Sequence, residues 1–216
     1  MPAELPTVLL VRHGETVWNC ELRMQGHRDV PLSPRGLEET AALAGRLALR
    51  ERPVRIVSSD LVRARATADA VGAALGLPVT LDPRLREQSL GTWEGKRFAE
   101  VRADDPVAAA RFEAFDPDTR PPDGETRREL AARAAAAFDA HATPGTAGPV
   151  LLVSHGGAMQ TILYRVLGLP LDAPRRFLLP NASVTVLVPR GPLWYVRTMA
   201  DASHLPHGTG DNFPFA

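Results

Sequence analysis

Two short apolar runs, residues 7–11 (Thr-Val-Leu-Leu-Val) and 150–153 (Val-Leu-Leu-Val), each break off at a histidine followed by a glycine. Runs of four or five such residues, closed by glycine, read as buried strands. The first ends in Arg12-His13-Gly14-Glu15 and the second in Ser154-His155-Gly156-Gly157. Parallel strands of one sheet deliver their carboxyl ends to one rim, which is where open α/β sheets bind ligands. The pattern therefore predicts two imidazoles converging on one pocket, with the permanently charged Arg12 suited to meeting an anion there.

The rest of the chain supplies the rhythm such a sheet needs. Ser33-Pro34 reads as a helix cap followed by proline in the first turn. Behind it Leu37, Ala41, Ala44, Leu47 and Ala48 recur at helical spacing. A strand at 54–57 leads into a helix running to Ala74, with Ser58-Ser59-Asp60 as caps and Gly76 as its stop. A short strand fits 79–81, and a loop rich in Gly and charge follows over 86–95. Strand signals then vanish, and Ala, Arg and Glu dominate up to Ala142, with the longest helix over 124–142. Beyond the strand at 150–153, a helix over 159–167 stops at Gly168, and strands at 184–188 and 193–196 add an antiparallel edge. Alternating strands and helices predict an α/β fold. The expected architecture is a three-layer sandwich, a mostly parallel sheet flanked by helices, in a single domain over 1–216. A helical cap insertion is expected at about 96–146.

Composition narrows the function. The 25 Lys and Arg balance the 25 Asp and Glu, so no global basic field draws the chain to nucleic acid. No apolar stretch approaches the roughly 18 residues of a membrane span. The first residues lack a basic region followed by an apolar core, which reads against a signal peptide. Cys20 is the one cysteine, in keeping with a reducing compartment. A cytoplasmic protein is expected, with no nucleic-acid or membrane partner, acting as a monomer or homodimer. Any anion recognition must be local. Arg63, one turn into the helix after the second strand, faces the same rim, near a helix N-terminus that favours anions. Asn19 offers an amide donor.

Taken together, these pieces resemble the histidine phosphatase superfamily, in its phosphoglycerate-mutase-like branch. The resemblance rests on Arg12-His13-Gly14-Glu15-Thr16 with Asn19, Gln25-Gly26, and Asp29 with Pro31-Leu32-Ser33. It continues through Ser58-Ser59 to Arg63-Ala64 and Thr67-Ala68, Leu85-Arg86-Glu87, and Gly91-Thr92-Trp93-Glu94-Gly95. Gly124-Glu125 and Ser154-His155-Gly156-Gly157 complete the order. It implies that His13 attacks phosphorus and becomes phosphohistidine, while Arg12, Arg63, Asn19 and His155 bind the phosphate oxygens. It also matches Glu87 to the acid that protonates the leaving group, with Glu15 as the rival. The chemistry agrees: neutral imidazole is a competent nucleophile, and arginines fork onto phosphate oxygens. A carboxyl beside a dianionic phosphate favours its protonated form. No metal and no cofactor is implied, since cationic side chains stand in for magnesium.

A phosphomonoester hydrolase acting on small phosphorylated metabolites is the leading expectation, because the stretch from Glu87 to His155 is short. A phosphoglycerate mutase and a catalytically silent phospho-ligand binding module are the alternatives. Gln25, Gly26 and Trp93 are candidate pocket residues, and Trp18 and Trp93 are expected to wall the pocket while packing. Phe98, Phe112 and Phe115 either line an apolar pocket or pack helices. Cys20 is expected as a small apolar filler, and His27 and His141 as exposed residues. Arg127 and Arg128 are expected on a solvated helical face. His204 and His207 form His-x-x-His in a Gly/Pro-rich tail, where no Cys or carboxylate cluster supports a metal site. The alternative is that the tail folds over the pocket and gives His204 a contact role.

Overall fold

The computed structural model describes residues 5–205. Within them the strands are β1 (Val8–Arg12), β2 (Arg55–Ser58), β3 (Val79–Leu81), β4 (Val150–Ser154), β5 (Val184–Arg190) and β6 (Leu193–Asp201). They form one sheet in the order β3-β2-β4-β1-β5-β6. The first four run parallel, whereas β5 is antiparallel to β1 and β6 antiparallel to β5. The expected antiparallel edge is therefore present. The near-continuous apolar runs of β1 and β4 belong to central strands covered on both faces, and both are buried almost throughout. On the edge strand β6, burial alternates instead, and Leu193 and Tyr195 are exposed.

The helices are α1 (Val17–Cys20), α2 (Pro34–Leu49), α3 (Val62–Leu75), α4 (Phe98–Asp104), α5 (Pro106–Glu113), α6 (Arg127–His141) and α7 (Gly156–Leu167). Alternation along the strands assigns them to layers. Leu9, Val11, Leu151 and Val153 point to one face and pack with Leu43 and Leu47 of α2 and Ala68 and Val71 of α3. Val8, Leu10, Val150 and Leu152 point to the other and pack with Leu130 and Phe138 of α6 and Met159 and Ile162 of α7. The region expected as one insertion thus divides. Its Ala-rich helix α6 joins the main core, while α4 and α5 enclose a small separate cluster of Met24, Leu90, Trp93, Phe98, Val101 and Ala109.

Two local readings change. On α2 the buried face runs through Gly36, Thr40, Leu43, Ala44 and Leu47, so Leu37 and Ala41 face solvent. Ser33 does cap the helix, its Oγ accepting from the Gly36 N–H at 3.0 Å. For α3 the expected caps are not used. Its first N–H, on Val62, instead donates to Asp29 Oδ1 at 2.9 Å, from 33 residues upstream. Ser59 is drawn to His155 and Asp60 to Arg86.

Gly36 explains the close seat of α2 under the loop after β1. A Cβ there would lie 1.9 Å from the Glu15 carbonyl oxygen, with no flexible side chain to give way. Gly36→Ala is expected to destabilise the protein by about 3 kcal/mol through overpacking, read as a lowered urea midpoint at unchanged m-value. Wild-type stability in that variant would show that the loop moves freely.

Candidate active site

The sheet's register builds the site. Along β1 and β4, Val11 faces Val153 and Arg12 faces Ser154, and the next backbone bond, from His13 N–H to the Ser154 carbonyl, is 3.0 Å. His13 and His155 follow at adjacent strand ends, with ring centroids 5.1 Å apart. Strand β2 ends beside them, its Ser59 N–H donating to the Val153 carbonyl. The Ser59 hydroxyl lies 2.8 Å from His155 Nε2.

His13 Nδ1 lies 2.7 Å from the Gly14 carbonyl oxygen. A carbonyl only accepts, so this contact assigns the proton to Nδ1 and leaves the lone pair on Nε2. Burial, then the charges of Arg63 and Arg12, hold the His13 pKa well below the ordinary imidazole value. His155 is also held well below it, by burial and then by Arg63. Both rings are therefore neutral near pH 7.

The two arginines are bound by neutral acceptors. Arg12 Nη1 donates to the Leu179 carbonyl at 2.6 Å. Arg63 donates from Nη1 to the Arg28 carbonyl and from Nη2 to the Gly26 carbonyl, both at 2.8 Å. Carbonyls fix a guanidinium without cancelling its charge. Burial lowers both guanidinium pKa values, Arg63's to about 10, and each stays cationic at neutral pH. Arg12 Nε, Arg63 Nε and His155 Nδ1 are buried with no acceptor or donor among the described residues, as befits a site that receives an anion. Asn19 commits its Oδ1 to the Thr16 N–H and hydroxyl in the capping box of α1. That orientation keeps its amide nitrogen, which donates to nothing among the described residues, for the cavity it borders.

Glu87 reaches the same place from the loop before α4. Its Oε2 accepts from Gly157 N–H, in the first turn of α7, at 2.9 Å, and its Oε1 from Gln88 N–H at 2.8 Å. Gly157 admits this approach because a Cβ there would sit 2.3 Å from Oε1. Arg133 on α6 holds the loop's backbone, donating to the carbonyls of Arg84, Arg86 and Glu87 at 2.6–2.9 Å. Glu125 orients Arg133 through an ion pair and accepts from the Ser89 N–H. His27 Nε2 adds a contact to the Glu87 carbonyl at 2.7 Å.

These residues border a cavity of about 360 Å³ that includes Arg12, His13, Asn19, Gln25, Gly26, Arg63 and Glu87. His155 is fully buried beside His13 and is not among the residues that line the cavity. Trp93 is not in the wall. It packs edge-on against Phe112 inside the small α4–α5 cluster, with ring centroids 5.3 Å apart, and Trp18 is likewise absent from the lining. Phe112 and Phe115 do border the cavity, while Phe98 packs.

Other expectations are also revised. Glu15 is buried away from the cavity, its Oε1 accepting from the Ser33 hydroxyl at 2.8 Å. Cys20 is exposed and donates its thiol to Glu15 instead of filling a core gap. His141 is buried, between Asp82 at 2.7 Å and Arg55 at 3.0 Å. His204 meets Arg46 near the far end of α2, away from the cavity, and His207 lies outside the described residues. Sequence reasoning placed Arg127 in solvent, yet it borders the cavity, as do Arg175 and Gln160. Asn181, also missed, donates to the His13 carbonyl at 2.9 Å. Two adjacent arginines give no hint which faces inward, and a loop asparagine carries no periodic signal.

Among the described residues no helix is long and apolar enough to cross a membrane. The chain is 38% identical over 203 residues to "Probable phosphoglycerate mutase GpmB" of Citrobacter koseri, covering 92% of this chain and 94% of that one. Of solved structures, Bacillus stearothermophilus YhfR superposes with a TM-score of 0.85 at 35% identity, over 93% of this chain and 99% of that one. A mycobacterial glucosyl-3-phosphoglycerate phosphatase, solved with VO3, gives 0.80 at 35% identity, over 90% and 98%. The sequence profile of the histidine phosphatase superfamily (branch 1) matches residues 8–202. With that match over nearly the whole chain, the protein belongs to the histidine phosphatase superfamily, branch 1.

Proposed function

We propose that this protein is a metal-independent phosphomonoester hydrolase acting on small phosphorylated metabolites through a phosphohistidine on His13. The observation that carries the reading is the Nδ1 contact to the Gly14 carbonyl, which leaves Nε2 as a bare nucleophile between two cations that disfavour its protonation. In the first step the Nε2 lone pair forms a bond to phosphorus as the ester P–O bond breaks. The Glu87 carboxyl gives its proton to the departing alkoxide. Arg12, Arg63, Asn19 and His155 carry the charge on the non-bridging oxygens, the electrostatic term that dominates phosphoryl transfer. In the second step water attacks phosphorus, the N–P bond breaks, and the Glu87 carboxylate takes the water's proton. Inorganic phosphate leaves, and His13 is again neutral.

The similar proteins carry names from both sides of one distinction, mutase and phosphatase. The two share the first step and differ in the acceptor. The compact α4–α5 unit and the short path from Glu87 to β4 support water as that acceptor. The fold is also compatible with silent phosphate binding, but His13 and Glu87 give it both a nucleophile and an acid.

His13→Ala is expected to lower turnover of p-nitrophenyl phosphate at least 1,000-fold, assayed with chelator present, and to abolish the acid-labile, base-stable phosphoenzyme. Full activity in that variant would sink the mechanism. Glu87→Gln is expected to slow an alkyl phosphate about 100-fold more than p-nitrophenyl phosphate, since a phenolate leaves without a proton. Equal losses on both would remove Glu87 from the acid's role. Stability should also respond to pH. The folded chain keeps His13 and His155 neutral, whereas the unfolded chain protonates them below the ordinary value of 6.5. Proton uptake then favours the unfolded state, so stability falls as pH falls through that value. Two such groups give a loss of about 2 kcal/mol between pH 6.5 and 5.5, measurable by urea unfolding at the two pH values. Unchanged stability would mean the rings are protonated in the folded state.

A further inference from the structure

Helix α7 gives Glu87 its seat at the Gly157 N–H. Three residues on, the same face of the helix brings Gln160 to the cavity wall. The two ends of the Gln160 amide are told apart by what they meet. The Tyr164 hydroxyl has a single proton, and it donates that proton to the Ala173 carbonyl at 2.8 Å. Toward Gln160 the same oxygen can only accept, so the amide atom 3.0 Å away is the nitrogen, Nε2. Tyr164 is itself buried, its ring edge-on to Phe177 with centroids 6.0 Å apart. The carbonyl oxygen of Gln160, Oε1, is left at the other end. It takes no donor among the described residues, yet it is not sealed from open space. Gln160 is only 3% exposed and borders the cavity, so the space it meets is the cavity.

An acceptor fixed at this depth loses a hydrogen bond unless a ligand supplies the donor. A hydroxyl and an ammonium are the two donors a small molecule would bring. Arg127 and Arg175 border the same cavity. Burial lowers both guanidinium pKa values, Arg175's to about 10, and both stay cationic near pH 7. A further cation beside them is repelled, whereas a neutral hydroxyl is not. Gln160 also lies one helical turn from the seat of Glu87, about 5–6 Å along the helix surface. If Glu87 meets the ester oxygen, a hydroxyl two or three carbons further on falls within reach of Oε1.

We propose that Gln160, oriented by Tyr164, accepts a hydrogen bond from a neutral hydroxyl on the leaving group, and so selects hydroxylated alkyl phosphates. This rests on the hydrolase reading for its meaning, but its test reads binding and not turnover. The probes are glycerol 3-phosphate, n-propyl phosphate and 3-aminopropyl phosphate, which share three carbons and one phosphate. They differ in offering hydroxyls, no donor, or an ammonium. Binding of each is measured by calorimetry on full-length protein carrying His13→Ala, alone and combined with Gln160→Leu or Tyr164→Phe. Each ratio of dissociation constants is taken on one sample, so a misfolded fraction cancels.

Glycerol 3-phosphate is expected to bind about tenfold more tightly than n-propyl phosphate, and more tightly than the amine. Gln160→Leu should bring the alcohol-to-alkyl ratio close to one. Tyr164→Phe should shrink it about threefold, although the Tyr164 hydroxyl is spent on Ala173 and Gln160, because the amide is then free to turn. Equal affinity for the alcohol and the alkyl probe overturns the proposal, as does a preference that survives Gln160→Leu or is unmoved by Tyr164→Phe. Tighter binding of the amine overturns it too. Hydrolysis of n-propyl phosphate by the wild-type protein is scored separately and tests the hydrolase reading alone.

Discussion

Parallel pairing of β1 with β4, in register up to Arg12 opposite Ser154, is the constraint from which the site follows. It sets the two histidine backbones side by side before any side chain has found a partner. It also starts α7 at Gly156, so that the Gly157 N–H in the helix's first turn meets the Glu87 carboxylate. A shift of one residue would put His13 opposite Ser154 and exchange the β1 residues that pack on α2 and α3 with those that pack on α6 and α7. The apolar runs of both strands, buried on two faces, make such a slip costly. Core packing and the placing of the two histidines thus depend on the same hydrogen bonds.

The second physical theme is positive charge kept out of water. Burying a guanidinium is unfavourable unless its donors are satisfied, and a carboxylate partner would satisfy them at the expense of the field. Here backbone carbonyls of Gly26, Arg28 and Leu179 take three of those donors, while Arg12 Nε and Arg63 Nε keep no acceptor among the described residues. The charge stays available to a ligand, and after burial it is what holds the neighbouring imidazoles neutral. Glu39 and Glu15 lie nearby, but Glu39 accepts from the Glu15 N–H and Arg35 instead of entering the cavity.

Much of this was legible in the sequence because it is local. Strand ends marked by His-Gly, the Ser33-Pro34 cap and the glycine stops at Gly76 and Gly168 all appear where short-range chemistry places them. What escaped is nonlocal or weakly patterned. Asp29 caps α3 from 33 residues away, and no window on the sequence joins the two. Helix α6 is so rich in alanine that its core-facing side has little contrast with the rest, which hid its place in the main core. Arg127 and Arg128 are neighbours, yet one stacks on Phe115 while the other pairs with Asp118. Trp93 lay in a matching motif, and only packing shows that its ring turns into the α4–α5 cluster.

The bracing of Glu87 has a consequence for how such a protein can diversify. Its backbone hangs from Arg133 on α6 and its carboxylate from the start of α7, and those two helices pack on each other in the main core. The α4–α5 unit, which supplies Phe112 to the cavity wall, has an apolar cluster of its own. Glu87 and the wall around Phe112 are therefore mounted on separate frames. Replacements within α4 and α5 can reshape that part of the cavity wall while the placement of Glu87 stays fixed. The wall can in this way be exchanged without disturbing the residues gathered around His13.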